Sequence, residues 1–295
     1  MSLGILNNLS AMYAANNLNN TQNSLSKTLQ QLSSGSKINS GADDAAGLSL
    51  VNGLQANATA LSQSQTNVTE GVGLLQVADG ALSQVTNLLN RAVTLATEAS
   101  NGTLNTAQLT AADQEFQSIL GEIDNIGATT TFNGQVVFGG ATDVAIYTGD
   151  STTTSATTDT IHLTAIDTSA GLGDTAGAVA YAAGAFSYTA TAGQVLAGDV
   201  LTANASTVLT HVHDAINDIA AQDGYVGAQI NTLNAMSQVI STQQQNIVAA
   251  QNAVQATDYA SASSNMSKYQ ILSQTGISAL AQANSMQQMV LKLLQ

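Results

Sequence analysis

Leu61, Val68, Leu75, Leu82, Leu89 and Ala96 recur every seven residues, and Ala78, Val85, Ala92 and Ala99 supply the alternate position three residues on. A heptad pattern of this length specifies a long helix whose buried stripe requires a partner helix. Each leucine fully buried along it contributes about 1.5–3 kcal/mol, which outweighs the weak helix preference of the interspersed Thr and Asn. The chain has no proline, so nothing of that kind interrupts a long helix. Asn101 and Gly102 mark its expected end, because glycine accepts the left-handed conformation that stops helices.

The same spacing returns near the other end, where Val226, Leu233, Ile240, Ile247 and Val254 step by seven. That helix is expected to pair with the one centred on Leu82. Ahead of them, Leu18, Leu25 and Leu32, with Leu29 four residues beyond Leu25, define a first helix that should stop near Ser33, Ser34 and Gly35. A further helix is expected after Thr110, with Phe116, Ile119, Leu120, Ile123 and Ile126 on one face. The last segment carries Ile271, Leu272, Leu280, Met289, Val290, Leu293 and Leu294, an apolar face like that of the first helix.

Between these blocks, from about Asn133 to Ala205, the texture changes to Gly, Thr and Ala with short apolar runs. Thr131 to Phe138 reads as a hairpin turning at Asn133 and Gly134, which tolerate positive φ. Val144 to Thr148, Ile161 to Ile166, Ala185 to Thr191 and Val195 to Leu201 are further strand candidates. The expected fold is mainly α: an elongated antiparallel helical, coiled-coil bundle of paired N- and C-terminal segments, with a small β-rich inserted domain. Residues 1–44 and 255–295 are expected as terminal helices, 45–137 and 206–254 as a helical layer bearing the hairpin, and 138–205 as the outer insert.

Composition narrows the function. Nineteen acidic residues against five Lys plus Arg give a net charge of −14, which opposes binding to nucleic acid or to anionic membranes. Only 8% of residues are charged. Helix surfaces built from Ala, Ser, Thr, Asn and Gln can be buried against identical copies without stranding charges. There is no cysteine, hence no disulfide or zinc-thiolate framework. No apolar stretch of about 20 residues suggests membrane insertion. Met1 to Leu9 lacks the basic patch and apolar run of a cleaved signal peptide, so export without one is expected.

Read in order, Leu32-Ser33-Ser34-Gly35, Ile38-Asn39-Ser40 and Asp43-Asp44-Ala45-Ala46-Gly47 closely resemble the amino-terminal signature of bacterial flagellins. Asp79-Gly80-Ala81-Leu82, Ser100-Asn101-Gly102-Thr103, Glu122-Ile123-Asp124 and Phe132-Asn133-Gly134 are similar to later landmarks of that family. Ser264-Asn265-Met266-Ser267, Gln270-Ile271-Leu272, Gln274-Thr275-Gly276 and Leu280-Ala281-Gln282-Ala283-Asn284 resemble its carboxyl-terminal signature. The resemblance covers residues 3–137 and 206–295.

It implies a structural subunit that self-assembles into the extracellular flagellar filament for swimming. The terminal helices would form the inner core, the longer helices a shell, and the insert would face outward. It further implies export through a dedicated channel, an export chaperone at the C-terminal helix, and contacts with the flagellar cap and hook-filament junction proteins. A host Toll-like receptor would recognise Arg91, Leu95 and Glu115 on the depolymerised subunit, although Val93 and Ile119 stand where the family commonly has Arg. Asp223 likewise replaces a common Arg ahead of Gly224-Tyr225-Val226-Gly227-Ala228. Two other functions compete: a hook-filament junction protein with similar terminal helices, and a secreted coiled-coil adhesin or effector, which would not account for both ordered signatures.

Remaining chemical features point to structure. His211 and His213 lie two apart and diverge by about 200° on a helix, so they cannot share one ion. No His-Glu-x-x-His, phosphate loop or nucleophile-base pair occurs, and neither an enzyme nor a cofactor is expected. Asp43 and Asp44 are expected to cap the helix beginning near Ala45. Arg91 alternatively makes only a surface ion pair. Met286 and Met289 belong to an apolar face. Thr152, Thr153 and Thr154, in the Thr-rich run to Thr160, form a flexible loop or carry O-linked sugar.

Overall fold

The computed structural model describes residues 8–139, 144–149, 158–168, 175–182, 185–191 and 200–293. Five helices carry the described chain: α1 (Leu9–Ser34), α2 (Ala45–Ser100), α3 (Thr106–Thr129), α4 (Leu201–Gln255) and α5 (Tyr259–Leu293). Six short strands lie between α3 and α4: β1 (Thr131–Phe132), β2 (Gln135–Val136), β3 (Val144–Tyr147), β4 (Thr158–Ile161), β5 (Thr175–Ala182) and β6 (Ala185–Thr191). They pair antiparallel as three separate hairpins, β1 with β2, β3 with β4, and β5 with β6. The chain divides into two compact units, Met1–Asn57 with Asn246–Gln295 and Ala58–Gln245.

In the second unit the heptad residues are the core. Leu61, Val68, Leu75, Leu82, Leu89 and Ala96 of α2 are buried together with Val226, Leu233 and Ile240 of α4. The two helices run antiparallel: Gln65 donates to the Ser237 hydroxyl at 2.6 Å, and six residues further along α2, Gly71 approaches Leu233. Any Cβ at Gly71 would collide with Ile146 of β3, so this glycine lets strand and helix close on the seam. α3 adds Phe116, Ile119, Leu120 and Ile123 to the core, while Ile126 is half-buried.

Several expected boundaries shift. α3 begins at Thr106, not after Thr110, because Asn105 and Gln108 form a reciprocal capping box, side chain to backbone at 2.9 and 3.0 Å. α4 begins at Leu201, whose N–H is accepted by Asp113 at 2.9 Å. The hairpin turns at Asn133 (φ 51°) and Gly134 (φ 78°), the left-handed pair that a two-residue loop needs. β6 matches its expected span, and β3 stops at Tyr147, one residue short of its own. Ile161 to Ile166 does not form the expected strand: β4 ends at Ile161, and the following residues run extended over the helices. Ile161, Leu163, Ile166 and Thr168 are buried there. Thr168 is clamped by Asp124 through its N–H at 2.6 Å and its hydroxyl at 2.8 Å. Gln222 reaches the Thr164 carbonyl at 3.2 Å. Most of Val195 to Leu201 lies outside the described residues.

In the first unit α1 and α5 lie antiparallel. Asn8 caps α1 by accepting from Ala11 N–H, and donates to the Ala283 carbonyl at 3.1 Å and to Gln287 at 3.2 Å. Leu18 packs against Gly276, where an added Cβ would come within 3.3 Å of its Cδ1. At the far end Ser36 bridges Ala256, with Lys37 N–H donating to the Gln255 carbonyl at 2.8 Å and Thr257 N–H to the Gly35 carbonyl at 3.0 Å. Gly35 (φ 70°) ends α1 as expected.

Candidate assembly interface

α1 and α5 meet through a modest set of side chains. Leu18, Leu25, Leu32 and Leu280 are half-buried, and Ala262 is buried. Leu29, expected in the α1 seam, is exposed; Thr28 is buried beside it, its hydroxyl satisfied by the Ser24 carbonyl at 2.9 Å. The small residue Gly276 lets Leu18 sit close to the α5 backbone, so part of this contact rests on closeness rather than on large apolar chains.

The large apolar residues of these helices point elsewhere. Ile271 stands nine residues from both Ala262 and Leu280, about two and a half turns, and therefore on the opposite face of α5. Met289 stands nine residues beyond Leu280 on that same outward face, and Leu9 stands nine before Leu18 on α1. All three are more than half exposed: Ile271 64%, Met289 55%, Leu9 60%. Met12, Tyr13, Leu272, Ile277 and Met286 are exposed as well. The single apolar face expected for the last segment is thus two faces. One is closed by α1, and the other, carrying Ile271, Met286 and Met289, is open. Most of the large apolar side chains exposed among the described residues lie on these two helices, a concentration that marks a binding surface. A helix apolar on opposite sides is stable in water only when both are covered. In the second unit Ile240 is buried and Ile247, in the first, is half-buried, so the α4 stripe fades toward its end.

The paired carboxylates at the start of α2 divide their work. Asp44 caps the helix as expected, Oδ1 accepting from Gly47 N–H at 2.9 Å. Asp43 does not cap it. Its Oδ2 accepts from the N–H groups of Asn39 and Ser40 at 3.2 and 3.0 Å and from the Ser40 hydroxyl at 3.1 Å, while Oδ1 pairs with Lys27 at 2.7 Å. The Lys27 ammonium, followed by the Asn39 amide, holds the Asp43 carboxyl down at about 2. Asp43 therefore ties the loop between α1 and α2 back to α1.

Arg91 and Glu115 are brought together across α2 and α3, Nη2 to Oε1 at 2.7 Å and Nε to Oε1 at 2.8 Å, both side chains about half exposed. Leu95, expected beside them, is buried beneath the surface at 2% exposure. Ile119 is also buried. Thr152, Thr153 and Thr154 lie outside the described residues. No group of three or more His, Asp or Glu arranged to hold a metal occurs among the described residues, and no helix among them is long and apolar enough to cross a membrane.

Sequence reasoning missed the clamps that need partners distant in the chain. Asp113 and Asp124 lie eleven residues apart, three turns of α3 and so one face, yet nothing local announces that they receive the N–H groups of Leu201 and Thr168.

Comparison with known proteins agrees at both ends. A family model for the bacterial flagellin N-terminal helical region matches residues 5–143, and one for the bacterial flagellin C-terminal helical region matches residues 209–294. A flagellin of Listeria monocytogenes is 32% identical over 276 residues, 92% of each chain. One of Halalkalibacterium halodurans is 31% identical over 291 residues, 98% of this chain and 99% of its own. The crystal structure of Bacillus cereus flagellin aligns with 63% of this chain and 94% of its own, at 28% identity and a TM-score of 0.44.

Proposed function

The chain belongs to the bacterial flagellin family, and on that footing we propose that the outward faces of α1 and α5 are the surfaces through which one copy joins the next. As a flagellin it is a structural subunit of the flagellar filament, outside the cell, and the filament serves swimming motility. The observation that carries the assignment of faces is the exposure of Leu9, Ile271 and Met289 on the sides of α1 and α5 turned away from their mutual contact. Fully covering each such side chain contributes about 1.5–3 kcal/mol. A neighbouring copy supplies that cover, so residues 1–44 and 255–295 become an inner core.

Seeding tests this directly. Wild-type monomer added to short filament seeds elongates them to micrometre length. Ile271→Asp and Met289→Asp, each placing a charge on the open face, leave the monomer's melting temperature within about 1 °C, since surface changes are nearly neutral, but stop elongation. Elongation by both variants at the wild-type rate removes the proposed faces. Failure of the wild type to elongate favours a hook-filament junction role instead.

The finer partners follow from the same reading. The cap and junction proteins meet the filament's ends, an export chaperone covers the open face of α5 before assembly, and the chain carries no catalytic activity. On the depolymerised subunit, a host Toll-like receptor reads the paired Arg91 and Glu115, with Leu95 packed beneath them. Reporter cells should respond to monomer and respond less to Arg91→Ala; silence toward the wild type ends that part. O-linked sugar on Thr152, Thr153 or Thr154 would raise the intact mass above 29.9 kDa, and an unmodified mass excludes it.

A further inference from the structure

The α2–α4 seam repeats in register. Gln65 and Ser237 hydrogen-bond across it at 2.6 Å. Moving two heptads forward along α2 and two back along α4 leads to Asp79 and Asp223, and two heptads more leads to Val93 and Leu209, which line one groove together. Antiparallel heptads bring equivalent positions face to face, so the two aspartates, both exposed at the flank of the seam, lie opposite each other where the flanking steps place neutral side chains.

No lysine or arginine answers them. Arg91 is the only Lys or Arg in residues 58–245, and it is bound to Glu115. Within α4 the residues three and four from Asp223 are Ile219, Ala220, Val226 and Gly227; within α2 those around Asp79 are Leu75, Gln76, Leu82 and Ser83. Of the acids on α3, Asp113 receives Leu201, Asp124 receives Thr168, Glu115 holds Arg91, and Glu122 is exposed. The Tyr225 hydroxyl is taken by His162 N–H and the Gln229 amide. The charged group that bears on Asp223 is Asp79.

We propose that Asp223 takes up a proton and donates it in a hydrogen bond to the Asp79 carboxylate across α2 and α4, so that the seam tightens as the pH falls from neutral. Two facing carboxylates repel, whereas a carboxyl and a carboxylate hydrogen-bond. Partial loss of water at the flank of the seam pushes the Asp223 carboxyl up, and the hydrogen bond to Asp79 and its charge push the same way. A group with a raised folded-state pKa binds more protons folded than unfolded. Its contribution therefore improves as pH drops through the folded value and becomes constant below the ordinary aspartate value.

Thermal melts of the full-length chain between pH 7.5 and 4 test this. At pH 7.5, Asp223→Asn should melt about 2–4 °C above wild type, and the gap should shrink to nothing or reverse by pH 4. Asp79→Asn should behave the same way, and the double variant should gain no more than either single one. In carboxyl carbon-13 NMR, Asp223 should titrate above the ordinary aspartate range in wild type and fall back toward it in Asp79→Asn. A melting gap independent of pH, or an Asp223 titration unmoved by Asp79→Asn, overturns the proposal.

Discussion

Two neighbouring carboxylates of one chemical type do unlike work at the α1–α2 loop: Asp44 holds a helix end, and Asp43 holds the loop to α1. Asp44 satisfies one of the free amides at the start of α2, so Asp44→Ala should cost about 1 kcal/mol. Hydrogen exchange of the first turn of α2 should accelerate several-fold, and Asp44→Ser should restore it; unchanged exchange in the alanine variant would show that the cap is idle. Asp43 bonds the loop and Lys27, and its carboxyl is held down at about 2, below the ordinary aspartate range, chiefly by the Lys27 ammonium. A depressed folded-state pKa gives stability that is complete above about 4 and lost as pH falls through about 2. The stability difference between wild type and Asp43→Asn should accordingly be flat from pH 7 to 5 and collapse between about 4 and 2. Asp223 has the opposite sign, because lost water, and then the hydrogen bond to Asp79 and its charge, replace the attraction of a lysine. The residue type is visible in sequence; the sign depends on which neighbours the fold delivers.

At the scale of elements, what was legible is what repeats. The α2 seam from Leu61 to Ala96 and the α4 seam from Val226 to Ile240 are buried as their spacing requires, and the Asn133-Gly134 turn has the backbone its residues favour. Aggregate apolarity misled at α5, where a hydrophobic residue count cannot tell one face from two. The β5 strand went unseen because its Ala- and Gly-rich sequence carries little alternation. The extended residues after β4 were read as a strand because apolar residues alternate there; they bury Leu163 and Ile166 against helices without a strand partner. Gly127 of α3 makes that close approach possible, since a Cβ there would collide with the Ile166 backbone carbonyl. Helix propensity alone favours Gly→Ala by about 1 kcal/mol, whereas overpacking costs about 1–3 kcal/mol. Gly127→Ala should therefore lower the melting temperature. Gly121→Ala, on the same helix with open space around it, should raise it. Melts of the two variants that move in the same direction would refute the backbone contact.

For the whole molecule, the distribution of apolar side chains separates what one copy completes from what it leaves to others. The seam formed by α2, α3 and α4 hides its leucines, isoleucines and phenylalanine within a single chain. The terminal pair α1 and α5 hides little, and exposes Leu9, Ile271 and Met289. Helices held by few buried contacts open readily, with local free energies far below that of the core. In the free subunit, amides of α1 and α5 should thus exchange with solvent within seconds, while those around Leu82 and Leu233 resist for hours. Polymerisation covers the open faces, and covering about 1.5–3 kcal/mol of apolar side chain at each of several positions is ample to slow exchange by orders of magnitude. Mass-resolved exchange on monomer and filament should show protection gained chiefly in residues 9–34 and 259–289. If the terminal helices of the monomer are already as protected as the α2 seam, or if the filament leaves them unprotected, their outward faces are not where copies join.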